Sequence, residues 1–181
     1  EPIQGEGGDN HFRPEYLMTL QAICQENGIM FIVDEIQTGV GLTGKMWAYE
    51  HYGLKPDMLC FGKKTQVCGF LSSDRIDEVE DNVFAASGRI NSTWGGTLVD
   101  MVRCSRYLEI IEEEKLIDNA AKMGELLLKG LHELQNDFSD IVSNSRGKGL
   151  MCAFDVKTTD MRNSLRNTAF EKGMLVLNSG E

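Results

Sequence analysis

The sequence predicts an α/β protein in which part of a mainly parallel-sheet domain, residues 1–110, is followed by part of a smaller α+β domain, residues 111–181. Three observations carry that prediction. Two short apolar runs, residues 29–33 and 58–61, each stop on polar residues that open a loop, as buried strands of an open parallel sheet do. A helical repeat precedes the first run, and the segment 97–137 is helical in pattern throughout. After it come a glycine-rich turn, a strand-like run and one more helix, an element order unlike that of the first part.

Each element has a local cause. From 14 to 27 the apolar residues Leu17, Leu20, Ile23 and Cys24 recur at helical spacing, Pro14 suits a first turn and Gly28 a C-terminal stop. The run Ile29-Met30-Phe31-Ile32-Val33 reads as a strand buried on both faces, ending at Asp34 and Glu35. Pro56-Asp57 is a turn signal before Met58-Leu59-Cys60-Phe61, a second strand that halts at Gly62-Lys63-Lys64. A short helix is expected from 46 to 52. In the long helical segment Leu108, Ile111 and Leu116 serve the first part and Leu126, Leu127, Leu131 and Leu134 the second, with a bend between 115 and 118. A turn over 146–149, a strand over 150–156, a helix after Thr159 and the apolar run 174–177 complete the chain.

Composition narrows the function. A formal net charge of −10 disfavours attraction to nucleic acid or to an anionic membrane face, so small molecules and protein partners are expected instead. No run of about 18 apolar residues suggests a membrane span, and no basic leader opens the chain. The five cysteines are scattered without a C-x-x-C pair and the three histidines are isolated, which points to a reducing, cytoplasmic setting and to no metal site. The start at Glu1 and the stop after the 174–177 run are those of a segment cut from a longer chain, which by itself is expected to be inactive.

Three constellations could carry chemistry. Gly39-Val40-Gly41-Leu42-Thr43-Gly44-Lys45 matches a phosphate-cradling loop for seven positions, but Met46 replaces the hydroxyl residue that would hold magnesium, which disfavours a nucleotide hydrolase. Asp34 and Glu35, adjacent on a strand, point to opposite faces, so only one can reach a crevice at the strand ends. Asp34 and Lys63 close two strands separated by room for one crossover, and both are expected at the edge where α/β sheets bind ligands. A lysine amine can form a Schiff base with an aldehyde, and a carboxylate can keep a pyridine nitrogen protonated, which makes the ring an electron sink. Spacing alone leaves a solvated Lys-Lys doublet equally open.

Four separated motifs then match one family in order and spacing: Glu1-Pro2-Ile3-Gln4-Gly5-Glu6-Gly7-Gly8, Asp34-Glu35-Ile36-Gln37-Thr38-Gly39, Phe61-Gly62-Lys63-Lys64 and Asn91-Ser92-Thr93-Trp94-Gly95-Gly96. Over nearly its whole length the chain resembles the class III aminotransferases, which depend on pyridoxal 5'-phosphate (PLP) and have the fold-type-I transferase architecture. The stretches 61–69, 91–96 and 146–154 resemble most the subgroup that moves the ε-amino group of L-lysine to 2-oxoglutarate, with ornithine and 4-aminobutyrate aminotransferases as the nearest alternatives. The resemblance implies that Lys63 links to the cofactor and moves a proton, that Asp34 pairs with its ring nitrogen, that Ile36 packs on the ring and that Gln37 bonds the ring oxygen. It implies that Thr93 reaches the cofactor phosphate of the other subunit of a homodimer. It also implies that Glu6 is a switch carboxylate, released from an arginine when glutamate or 2-oxoglutarate needs that arginine. The family's upstream phosphate loop, its ring-stacking aromatic residue, its substrate-carboxylate arginine and its switch arginine have no counterpart between 1 and 181.

Overall fold

The computed structural model describes residues 1–90 and 96–180. The chain opens with a short antiparallel pair, β1 (Ile3–Gln4) and β2 (Asn10–His11). Helix α1 (Pro14–Glu26) follows, with Pro14 in its first turn, and Gly28 leaves it in the left-handed conformation at φ 66°. Leu17 on its inner face joins Phe31, Val33, Tyr52, Leu54 and Leu59 in the main core cluster, with Cys24, Trp47 and Tyr49 packed against it. Each such side chain removed from water contributes roughly 1.5–3 kcal/mol.

Strand β3 (Ile32–Asp34) is shorter than its sequence suggested, and it is covered on one face only. Phe31 and Val33 are buried, but Ile29 and Ile32 are more than half exposed. Helix α1 and the one-turn helix Ala48–Tyr52 supply the covering layer, and no described element covers the opposite face. That one-turn helix occupies the second half of the expected 46–52 helix. Strand β4 (Met58–Phe61) lies parallel to β3, with Asp34 opposite Cys60. The sequence did not reveal β5 (Gly69–Ser72), which returns antiparallel along β4 with Phe61 opposite Gly69. The three-stranded sheet is therefore mixed: the link from β4 to β5 is too short for the dozen or more residues a parallel crossover requires.

Helices α2 (Leu98–Glu113) and α3 (Leu116–Asp137) are separated at Lys115, which adopts φ 51° at the expected bend. The expected boundary near residue 110 falls inside α2. Helix α3 packs on a hairpin of β6 (Val142–Lys148) and β7 (Met151–Val156), and α4 (Thr159–Glu171) follows, capped by the Thr158 hydroxyl accepting from the Met161 amide. Residues 146–148, expected in a turn, belong to β6, and the reversal is confined to Gly149 and Leu150. The apolar run at Met174, Leu175 and Leu177 is largely exposed and forms no strand.

The two parts meet backbone to backbone. A methyl group on Gly149 would sit 2.3 Å from the Thr43 carbonyl carbon, and one on Gly124 would sit 2.2 Å from the Gly149 oxygen. The Leu150 amide donates to the Leu42 carbonyl at 3.0 Å, and a methyl on Gly44 would press on Ala121 at 2.9 Å. The glycine-rich loop that resembled a phosphate cradle is thus a packing surface for α3 and the β6–β7 turn. Lys45 at its end donates to the Glu50 carbonyl at 3.1 Å.

Candidate active site

The site grows from the C-terminal ends of β3 and β4. At the end of β3 the Asp34 side chain is partly buried, and its Oδ1 accepts from the Ile36 amide at 2.9 Å, turning the chain out of the sheet. The Glu35 amide still pairs with the Cys60 carbonyl at 2.9 Å, and the Gly39 amide closes the turn on the Glu35 carbonyl at 2.9 Å. Asp34, Ile36 and Gln37 are therefore held as one turn.

Glu35 goes the other way. Its carboxylate is wholly buried, accepting from the Thr38 hydroxyl, from the Tyr49 amide at 2.7 Å and from the Ala48 amide. Burial pushes its carboxyl above the usual range, while those three donors pull it back. The unfolded chain releases this proton near the ordinary value of 4.5, whereas the folded protein keeps it to higher pH. The contribution of protonated Glu35 to stability is hence complete below about pH 4.5 and is lost as pH rises through the folded value. Urea midpoints measured from pH 4 to 8 should fall across that window in the wild type. Glu35→Gln keeps an oxygen for the two amides and a donor for Thr38, and it should lack that component of the slope. Identical slopes in both proteins would remove Glu35 as its source.

Lys63 follows β4 immediately, in the one-turn helix Lys63–Thr65, with φ 49°. Its Nζ donates to Gln37 Oε1 at 3.2 Å, which brings the end of β4 to the turn at the end of β3. Gly62 keeps the approach narrow: a methyl there would meet Cys68 Sγ at 3.0 Å and an Ile36 methyl at 3.5 Å. Lys64, which the sequence reading left without a role, donates to the Gln37 carbonyl at 2.6 Å. Burial pushes its ammonium below the usual lysine range and neighbouring Lys63 adds to that, with Glu35 opposing. Gln37 thus receives one lysine on its side chain and the other on its backbone, an arrangement only the fold could reveal.

The N-terminal segment supplies the next wall. Gly5 is buried against Gln37, where a methyl group would lie 2.7 Å from the amide, so Glu6 stands beside the same turn and is exposed. Thr93 lies outside the described residues. Among the described residues no group of three histidine, cysteine or acidic side chains could hold a metal ion, and no helix is long and apolar enough to cross a membrane. The donor set is an exposed primary amine, a carboxylate with one oxygen engaged, an amide and a branched aliphatic chain. It suits an aldehyde on a nitrogen heterocycle better than an ion.

Comparison with known proteins agrees. The family model described as aminotransferase class-III matches residues 1–181. The L-lysine-epsilon aminotransferase of Mycobacterium tuberculosis is 51% identical over 180 residues, covering 99% of this chain and 40% of that protein. Its counterpart in Amycolatopsis lactamdurans is 53% identical over 165 residues, covering 91% and 37%. A solved lysine aminotransferase from M. tuberculosis superposes with a TM-score of 0.95 at 51% identity, over 99% of this chain and 41% of that one. The chain spans about 40% of the length of the curated relatives it matches.

Proposed function

Because this chain belongs to the class III aminotransferases, which have the fold-type-I architecture, we propose that the enzyme containing it moves the ε-amino group of L-lysine to 2-oxoglutarate. The products are 2-aminoadipate 6-semialdehyde and glutamate, and PLP is the cofactor. The single observation that carries the reading is the Lys63 amine drawn by Gln37 to the turn that begins at Asp34, at the ends of two parallel strands.

PLP, when bound, supplies an aldehyde that accepts amines and a protonated ring that withdraws electrons. The chain's residues do the rest. Lys63 links to the cofactor between turnovers and, once displaced by substrate, carries a proton from the amino-bearing carbon. Asp34 has Oδ1 engaged by Ile36, and its second oxygen keeps the ring nitrogen protonated. Ile36 covers one face of the ring, and Gln37 bonds its oxygen. Glu6 pairs with an arginine while the diamine is bound and releases it for the dicarboxylate. Residues 1–110 belong to the large cofactor domain and 111–181 to the small one. The enzyme is a cytoplasmic homodimer in which Thr93 reaches the partner's cofactor phosphate.

A single-turnover experiment tests this reading. The PLP-loaded enzyme is mixed separately with L-lysine, L-ornithine and 4-aminobutyrate, and cofactor absorbance is followed as the amino group is taken up. Lysine should react fastest. Preference for another amine overturns the donor, and no spectral change with any of them overturns the reaction. Glu6→Ala should slow the lysine half-reaction about tenfold more than the glutamate half-reaction, the size expected for a lost charge-assisted hydrogen bond. Equal losses would remove the switch.

A further inference from the structure

Arg146 is the side chain through which the β6–β7 hairpin grips the N-terminal segment. Its Nε donates to the Asp9 carbonyl at 2.7 Å and its Nη2 to the Gly8 carbonyl at 2.8 Å, across more than 130 residues of sequence. These two carbonyls end a tight turn in which the Gly8 and Asp9 amides both close on the Gly5 carbonyl, at 3.1 and 2.8 Å. Glu6 is carried on that turn.

The sequence arranges for Arg146 to point there. A bulge interrupts the hairpin between Ser143, opposite Asp155, and Arg146, opposite Ala153, with Asn144 at φ 51°. Such a bulge rotates the residues that follow it and re-aims their side chains. Helix α3 pins the bulge: the Ser145 amide donates to Gln135 Oε1 at 2.7 Å and the Ser145 hydroxyl to the Leu131 carbonyl at 3.1 Å. Arg146 Nη1 donates to the Asn144 carbonyl and pairs with Asp155, both at 2.8 Å, and Asn144 donates to the other Asp155 oxygen at 2.7 Å. The guanidinium side chain is only 14% exposed, so its charge and its five donors are committed to this joint.

We propose that Arg146 is a positioning residue that holds the Glu6 turn in register with the small domain and thereby sets the balance between the two half-reactions. The inference rests on the switch reading of Glu6. It assigns the selectivity of the site to a residue that need touch neither substrate nor cofactor.

The test uses the full PLP-loaded enzyme with Arg146→Met, Arg146→Lys and Glu6→Ala. Amide hydrogen exchange over residues 5–9 reports the turn directly, and the ratio of lysine to glutamate half-reaction rates reports selectivity. Arg146→Met should speed exchange there about tenfold and lower the ratio in the same direction as Glu6→Ala, with Arg146→Lys intermediate in both. If Arg146→Met proves too unstable to purify, Asp155→Asn, which removes the paired charge and leaves Arg146 in place, should show both effects at smaller size. Wild-type exchange in the Arg146 variants overturns the holding role. Faster exchange with an unchanged ratio, in an enzyme whose ratio Glu6→Ala does shift, overturns the selectivity role and leaves the switch standing. An unchanged ratio in Glu6→Ala removes the switch and the selectivity role together, while the exchange data still decide whether Arg146 holds the turn.

Discussion

Lys63→Ala should lower kcat/KM by on the order of 10^4-fold or more, because one side chain both anchors the cofactor and carries the proton. The structure supplies the reason for so large a loss. Lys63 follows β4 after the narrow Gly62 step, and its amine meets the neutral Gln37 amide rather than a carboxylate. No other amine can take over easily, since Lys64 is tied to the Gln37 carbonyl. Lys63→Arg separates charge from chemistry: it retains a cation near Gln37, but a guanidinium does not release its proton in proteins, and it should be as inactive as Ala. Borohydride reduction followed by peptide mass analysis supplies a second readout, with the cofactor's mass on the peptide containing residue 63 in the wild type only. Turnover within tenfold of wild type in either variant would remove Lys63 from the mechanism.

Asp34→Ala should slow proton removal from the substrate carbon by about 10^2- to 10^3-fold while weakening cofactor binding only about tenfold. The asymmetry follows from what the carboxylate does, since its charge on the ring nitrogen matters most when negative charge develops on the substrate. Oδ1 has a structural duty as well, accepting from Ile36, so an alanine also loosens the turn that presents Gln37. Asp34→Asn keeps an oxygen for Ile36 and removes only the charge. A substrate deuterated at the reacting carbon reads the step directly, and Asn should be nearly as slow as Ala. Near-normal proton transfer in Asp34→Asn would mean that the ring nitrogen needs no counter-charge from this residue.

Several elements could be read from the chain because their signals are local. Pro14 and Gly28 bracket α1, Pro56-Asp57 precedes β4, and the apolar spacing changes near Lys115, where α2 gives way to α3. The juxtaposition of Asp34 with Lys63 was readable too, because parallel strands bring their C-terminal ends together. What stayed hidden depends on distant partners. Strand β5 is four residues long with Leu71 facing outward, and β6 is built from Ser, Asn, Arg, Gly and Lys around a bulge, a composition that reads as a turn. The outer face of β3 looked buried because apolar runs carry no mark of which layers cover them. Nothing near Arg146 announces that its partners are Gly8 and Asp9, and nothing near Gln37 announces that two lysines converge on it.

The close approach of Gly124, Gly149 and the loop at 42–44 bears on how such enzymes can be recombined. Side-chain interfaces can repack when one half is exchanged, but a seam of bare backbone has nothing to rearrange. A chimera that joins this loop to the helix and hairpin of another family member should assemble only where the donor also carries residues without side chains at both contact points. One surplus methyl group would be enough to tell a matched pair of halves from a mismatched one, so the seam acts as a shape filter on which large and small domains can be inherited together.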